Sequence, residues 1–390
     1  MPRQANSSPQ PAHLDARARI LQGSFYTPER YVQLVGDWLQ EYRLTENCAI
    51  LDPSCGYGAF FALADQFPHD RFYGNDIDIT AIQLVKKLFN NVILSNRNAL
   101  LDVRRERYGI GERETLVVVG NPPYNDTTSQ YQGRLKQSAR PAMDADLKSR
   151  DLGLSSLLAY HKLHADYVAV LHPLSYLLKR ANFLAAKNFF ANYRLLRHVV
   201  FSSHEFAGTS RTAAFPVIVA FYERHPGEGL TYETVRRTRF TTVEGNSFAL
   251  SDFRFITEFI DKYPNPTVPP GGLMFYTLRD INALRRSRTF LTTPTANALF
   301  IPPEKLPYYS YVDCFKYFID EVPYYLGNCD IPIDLERFEH CREAVVALAR
   351  WRHPEVFGPC PRPPKTAFQA VRQLILCSVL PTTIQPTSKS

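Results

Sequence analysis

One segment restricts this chain more than any other: Leu116-Val117-Val118-Val119-Gly120, followed at once by Asn121-Pro122-Pro123-Tyr124. A continuous apolar run rich in β-branched residues reads as a strand covered on both faces, as in a parallel sheet packed between helices. Paired prolines cannot continue a strand ladder or enter a helix interior, because neither has an amide hydrogen and each fixes its φ. The residue before a proline is also driven toward extended geometry. The chain must therefore leave this strand as a rigid, extended ledge. In an open α/β sheet such a ledge lies at the carboxyl edge of the strands, where ligands bind.

The surrounding pattern supplies the rest of such a sheet. Residues 49–51, 71–74, 92–94, 167–171, 198–201 and 214–222 read as further strands. Helical patterns start near Ala59, run from Thr80 to Phe89, and recur from Phe183 to Leu196. Strands alternating with helices predict an α/β fold with a Rossmann-like, mainly parallel, seven-stranded sheet. After Arg224 the cluster His225-Pro226-Gly227-Glu228-Gly229 breaks the pattern. A smaller mixed C-terminal domain is expected beyond it, with helices near 278–287 and 335–351. The expected organisation is a disordered tail over 1–22, a catalytic domain over 23–224, a second region over 225–380 and a short tail over 381–390. The polar, poorly periodic stretch Asn125 to Asp151 predicts a long loop beside the ledge.

Composition narrows the setting. The 390 residues are 45% hydrophobic, enough for a sizeable core. No run approaches the ~18 apolar residues of a membrane helix, and residues 1–17 lack the apolar stretch of a signal peptide, so a cytoplasmic protein is expected. The net charge of +7 suits a polyanionic partner without defining one. None of the seven cysteines forms a Cys-x-x-Cys pair, so reduced thiols are expected and no metal site.

Three motifs carry chemistry. Asp52-Pro53-Ser54-Cys55-Gly56-Tyr57-Gly58 lies where the first strand ends, and its glycines permit a tight turn with backbone amides close to a ligand. A plain turn explains the same spacing. Past the second strand come Asp76, Ile77 and Asp78. Asp76 is placed to accept both ribose hydroxyls of a nucleoside, and Asp78 to cap the next helix. The ledge suits methylation of an aromatic amine, a poor nucleophile whose lone pair is delocalised into its ring. The Asn121 side-chain oxygen and the Pro122 carbonyl can hold the two amine hydrogens and pull the nitrogen toward tetrahedral geometry. Tyr124 would stack on the base.

With these residues in view, the chain from Phe25 to about Tyr222 resembles the amino-directed DNA methyltransferases of restriction–modification systems, in the γ arrangement. Phe25-Tyr26-Thr27-Pro28 matches the family's opening aromatic–Thr–Pro element, which closes over the methionine end of the cofactor. Asp52, Pro53, Gly56, Gly58, Asp76 and Ile77 match its cofactor motifs. Asn121, Pro122, Pro123 and Tyr124 match its catalytic motif, with Asn121 also beside the cofactor. Asn98-Ala99 falls where the family has an Asp that binds the cofactor's adenine; an asparagine can still accept that hydrogen bond. Phe206, within Phe206-Ala207-Gly208-Thr209, is either the family's second aromatic against the base or a core residue.

The resemblance implies S-adenosylmethionine as cofactor and double-stranded DNA as substrate, with adenine flipped out and methylated at N6. It also implies a target-recognition role for 225–380 and a cognate restriction endonuclease as a further candidate partner; the sequence leaves the oligomeric state open, with a monomer favoured. Arg236, Arg237, Arg239, Arg279, Arg285, Arg286 and Arg288, interleaved with Phe240, Tyr276 and Phe290, suit a phosphate-contacting surface. Yet from Gly227 onward 19 lysines and arginines face 17 acids, so a solvated face fits any one of them. Cytosine C5 chemistry is excluded, because it needs a Pro-Cys pair on the ledge. N4-cytosine methylation and methylation of RNA or protein glutamine remain open, since Asn-Pro-Pro serves those reactions too.

Overall fold

The structure is a computed structural model that describes residues 27–124, 142–149, 151–206 and 214–381. Two compact units emerge. One takes in Met1–Thr212, Val217–Val235 and Thr241–Gly245; the other takes in Ala213–Pro216, Arg236–Phe240 and Asn246–Ser390.

The first unit is built on seven strands: β1 (Ala49–Asp52), β2 (Arg71–Asp76), β3 (Val92–Asn96), β4 (Leu116–Gly120), β5 (Tyr167–Pro173), β6 (Tyr193–Ser202) and β7 (Pro216–Arg224). Their order is β3-β2-β1-β4-β5-β7-β6. The pairs β1–β2, β1–β4, β2–β3 and β4–β5 are parallel, and β7 runs antiparallel to β5. This is a Rossmann-like, mainly parallel seven-stranded sheet, as the strand pattern predicts. Register sets Leu51 beside both Tyr73 and Val118, so β1, β2 and β4 discharge their chains at one carboxyl edge. Every residue of β1 and β4 is buried, which explains why neither shows alternation in sequence.

Three helices flank this edge: α1 (Glu29–Glu41), α2 (Ile79–Leu88) and α3 (Leu152–Lys162). Asp78 caps α2 by accepting the Thr80 amide at 2.8 Å, as expected. Two predicted helices differ from the observed ones. The helix near Ala59 is a single tight turn, Ala59–Leu63. The stretch Phe183 to Leu196 holds two short helices, Arg180–Ala185 and Lys187–Phe190, before Tyr193 enters β6. Phe183, Phe189, Phe190 and Tyr193 all reach one core, with Phe189 stacked on Tyr193 at 4.3 Å. Their common burial imitates helical periodicity although the backbone changes type.

At the opposite edge of the sheet, Arg105 acts as a brace. Its guanidinium, on a residue only 8% exposed, donates to the carbonyls of Leu163 at 2.7 Å and Glu114 at 2.8 Å. It also reaches the His164 carbonyl at 2.5 Å and Asp166 at 3.3 Å. Asp166 in turn accepts the Leu116 amide at 2.8 Å. One side chain thus ties the loops that feed β4 and β5.

The second unit has an antiparallel sheet in which β8 (Met274–Tyr276) lies between β9 (Phe290–Leu291) and β10 (Ala298–Phe300). It also carries α4 (Ile281–Arg286), α5 (Leu306–Tyr317), α6 (Leu335–Arg352) and α7 (Lys365–Ser378). Tyr309, Tyr311, Phe315, Phe338, Leu348 and Leu374 form its core.

Removing the Arg105 guanidinium should orphan several buried carbonyls at once. Arg105→Met is expected to lower stability by about 3–5 kcal/mol, read as a reduced midpoint in chemical denaturation. A midpoint equal to the parent's would show that the brace carries no net stability.

Candidate active site

The chain leaving β1 is held by two carboxylates. Asp52, buried at the strand end, accepts the Ser54 amide at 3.1 Å and turns the chain. Asp76, at the end of β2, accepts the Gly56 amide at 2.8 Å on one oxygen and the Asp78 amide at 2.8 Å on the other. Each Asp76 oxygen keeps a second lone pair, so the carboxylate can still receive ligand hydroxyls. Beside it Ile77 is 66% exposed, an apolar surface that a flat ring could cover. The two glycines differ. Gly56, at φ 50°, would point a Cβ into open space, whereas a Cβ on Gly58 would come within 2.6 Å of the Phe61 ring. The first leaves a cradle open and the second permits close packing.

Asn75 is a brace that the sequence reading missed. Fully buried, it donates to the Pro53 carbonyl at 2.9 Å and the Arg97 carbonyl at 3.0 Å, while its oxygen accepts from Ser95 at 2.9 Å. It joins the loops after β1 and β3. No motif marks it, because an asparagine before an acid is ordinary in any turn. Following β3, Asn98 accepts the Leu100 amide at 2.9 Å and donates to the Ala142 carbonyl at 2.5 Å, with Ala99 half-buried beside it.

The ledge leaves β4 next to Asp52. A Cβ on Gly120 would lie 3.0 Å from the Asp52 carboxylate, so the chain passes close against that acid. Asn121 follows, donating from its side-chain nitrogen to the Thr27 hydroxyl at 3.2 Å. Its side-chain oxygen accepts a short hydrogen bond from the Tyr124 hydroxyl. Pro122 and Tyr124 are buried and Pro123 is half-buried. Burial pushes the Tyr124 phenol far up, with the Asp151 charge adding to it. Asp151 caps α3 through the Gly153 amide at 2.9 Å and accepts from the Tyr176 hydroxyl.

Thr27 and Pro28 lead into α1, Thr27 buried and Pro28 extended at φ −60° and ψ 137°. Phe25, Tyr26, Ala207, Gly208, Thr209 and most of the loop from Asn125 lie outside the described residues. Phe206 is 1% exposed, its ring edge-on to Phe201 at 5.5 Å. The site thus gathers Thr27, Asp52, Gly56, Asp76, Ile77 and Asn121 around the exits of β1, β2 and β4.

In the second unit the predicted arginines divide. Arg239 pairs with Asp252 at 3.0 Å, and Arg285 pairs with Asp320. Arg279, Arg286 and Arg288 are exposed, Arg288 lying over the Tyr276 ring at 5.8 Å. Among the described residues no group of three or more His, Cys, Asp or Glu could hold a metal ion. Nor is any described helix long and apolar enough to cross a membrane.

Residues 14–194 match the model of a family described as N-6 DNA methylase. No curated protein matches the chain. Solved structures are similar over about half of the chain at low identity. The methyltransferase subunit of a type I restriction-modification system from Streptococcus thermophilus is 16% identical, with TM-score 0.38, covering 51% of this chain and 44% of its own. Magnesium protoporphyrin IX methyltransferase from Synechocystis, with bound cofactor, is 12% identical, with TM-score 0.32, covering 50% and 79%. An rRNA methylase from Streptococcus thermophilus is 10% identical, with TM-score 0.30, covering 51% and 99%. The matched residues 14–194 take in six of the seven strand starts of the first unit's sheet, β1 to β6.

Burial raises the Asp52 carboxyl from 3.8 to about 8, the Ser54 amide opposing and the nearby Asp76 charge adding. In the cofactor-free protein the folded state therefore keeps this proton while the unfolded chain ionises. Between pH 3.8 and about 8 the unfolded state binds fewer protons, so stability falls as pH rises. The slope is on the order of 1 kcal/mol per pH unit. Asp52→Asn should flatten that dependence in denaturation midpoints measured across this window. An unchanged slope would mean that Asp52 ionises normally in the fold.

Proposed function

We propose that the chain is a site-specific DNA methyltransferase of the γ arrangement that methylates adenine at N6. The observation that carries this reading is Asn121-Pro122-Pro123-Tyr124 at the exit of β4, inside the segment that matches the N-6 DNA methylase model.

S-adenosylmethionine supplies an electrophilic methyl on a sulfonium. The residues present fit it: the open cradle at Gly56, the Asp76 lone pairs and the Ile77 face offer amide, carboxylate and apolar surfaces to a nucleoside. In this reading Asp76 receives the ribose hydroxyls and Ile77 covers the adenine ring. Asp52, Pro53 and Gly58 shape the turn, Phe25, Tyr26, Thr27 and Pro28 close the methionine end, and Asn98 and Ala99 border the adenine. Asn121 and the Pro122 carbonyl accept the two hydrogens of the target amine and turn its lone pair toward the donor. The Asn121 oxygen accepts from the Tyr124 hydroxyl before the base arrives, and that bond gives way to the amine. Tyr124 stacks on the base, while Phe206, 1% exposed against Phe201, fits the core alternative better than a second contact to the base.

A stacked base pair hides the adenine amine, so the nucleotide must leave the duplex. The region 225–380 would hold the flanking DNA and choose the sequence. Arg279, Arg286 and Arg288 are its candidate phosphate contacts, and binding would weaken as salt rises. A cognate restriction endonuclease belongs to the same reading, as does a monomer in the cytoplasm.

Asp76→Ala should weaken S-adenosylmethionine binding by about 1.5–3 kcal/mol in calorimetry, through loss of a charged hydrogen-bond acceptor. Full affinity in a folded variant would displace the ribose from this site. Asn121→Ala should bind the cofactor nearly as well as the parent while single-turnover methylation collapses, since the lost bond matters most as the amine pyramidalises. Near-normal turnover would contradict the ledge chemistry. The substrate is tested by expression in a host lacking adenine methylation, followed by modification-sensitive genome sequencing. N6-methyladenine at one short recurring word is expected. N4-methylcytosine would reassign the base, and unmodified DNA beside methylated RNA or protein would overturn the DNA reading.

A further inference from the structure

We propose that Asp144 is a positioning residue that holds the loop after β3 in the shape that selects the adenine base of the cofactor. The proposal rests on the reading that Asn98 and Ala99 border that adenine. A site rejects an analogue lacking one hydrogen-bonding group only while its own polar atoms stay in place. Residues 98–103 lie in neither helix nor strand, so that hold must come from elsewhere in the chain.

The loop is tied near both ends by partners distant in sequence. At its start Asn75 donates to the Arg97 carbonyl at 3.0 Å. At its far end Asp144 uses both carboxylate oxygens. One accepts the Asp102 amide at 2.7 Å and the other the Val103 amide at 3.1 Å. The Asp144 amide donates in turn to the Leu100 carbonyl at 2.8 Å. A carboxylate only accepts and a backbone amide only donates, so these bonds have a single sense. Asp102 sits at φ 54°, in the left-handed region that a residue with a side chain seldom occupies. Such backbone persists where its surroundings over-determine it, and Asp144 does so from 42 residues away. Arg107 adds bonds to the Leu101 carbonyl at 2.6 Å and the Asp102 carbonyl at 3.4 Å from within the same stretch.

Asp144 is itself anchored. Lys162, the last residue of α3, donates to it at 2.9 Å and to Asp146 at 2.9 Å. The Lys162 hydrogen bond, backed by the two amides against the cost of burial, holds the Asp144 carboxyl down to about 2. The acceptor is therefore charged throughout the neutral range. Leu147, 1% exposed, fixes the turn that follows in the core. The shape of the β3 exit is thus set from α3.

The test is calorimetric binding of two ligands to the full chain, S-adenosylhomocysteine and S-inosylhomocysteine. They differ only at the edge of the base, where an amine and a bare N1 give way to a carbonyl and N1–H. The parent should prefer the adenosyl ligand by about ten-fold or more. Asp144→Ala should bring the two Kd values within about three-fold of each other, chiefly by weakening the adenosyl one. Lys162→Met removes the ion pair but leaves both amides an acceptor, and should keep the parental preference. If Asp144→Ala is too unstable to purify, Asp144→Asn carries the test, since it has one acceptor oxygen in place of two and should lose part of the preference. A parental ratio in either Asp144 variant overturns the proposal. An equal loss in Lys162→Met also overturns it, by tracing the effect to local stability. A parent that binds both ligands alike would take the adenine away from this loop, and the underlying reading would fall together with the proposal.

Discussion

Much of the sheet's carboxyl edge depends on one carboxylate. Asp76 accepts an amide from the β1 loop and another from the entry to α2, so it fixes two chain segments to the end of β2. Hydrogen bonds to an ionised acceptor are each worth roughly 1.5–3 kcal/mol. Burial pushes the Asp76 carboxyl up, and the amides of Asp78 and Gly56 pull it back. Parallel pairing does the rest by bringing the exits of β1, β2 and β4 to one edge. A cradle, an acid and a ledge then meet within one small volume.

The ledge depends on its neighbours in a different way. Paired prolines make the backbone stiff, but stiffness alone does not orient the Asn121 amide. Hydroxyls from Thr27 and Tyr124 flank it, one supplied by the segment before α1 and one by the ledge itself. Beneath them Asp52 lies close enough to Gly120 that a side chain there would force one of the two to move. The site is tight where chain passes chain and open where Gly56 faces outward.

The second unit shows similar buried polar order without a motif to announce it. Asp313, fully buried on α5, accepts from Thr289 at 2.6 Å, from Arg352 at 2.5 Å and from His353 at 2.8 Å. The other ring nitrogen of His353 meets Glu355 at 3.0 Å, and with carboxylates on both sides the imidazole is raised above its usual range despite burial. An unpaired charge at Asp313 would be costly, so this network fixes the junction of α5 with the end of α6.

Sequence by itself determined the sheet and the backbone path at its edge. The run Leu116–Val119, the glycine loop and the Asn-Pro-Pro-Tyr ledge act through backbone constraints, and such constraints are local. Asp78 was legible as a cap for the same reason. Local pattern failed where burial overrode it: Phe183, Phe189 and Tyr193 look periodic because one core collects them, while the backbone passes from helix to strand. Nor did any pattern reveal Arg105, Asn75 or the bond from Asn121 to Thr27. Their partners lie 58, 22 and 94 residues away in the chain. Which distant carbonyl or hydroxyl satisfies a buried polar group is decided only when the sheet closes, because the cost of leaving it unpaired exists only once water has been excluded.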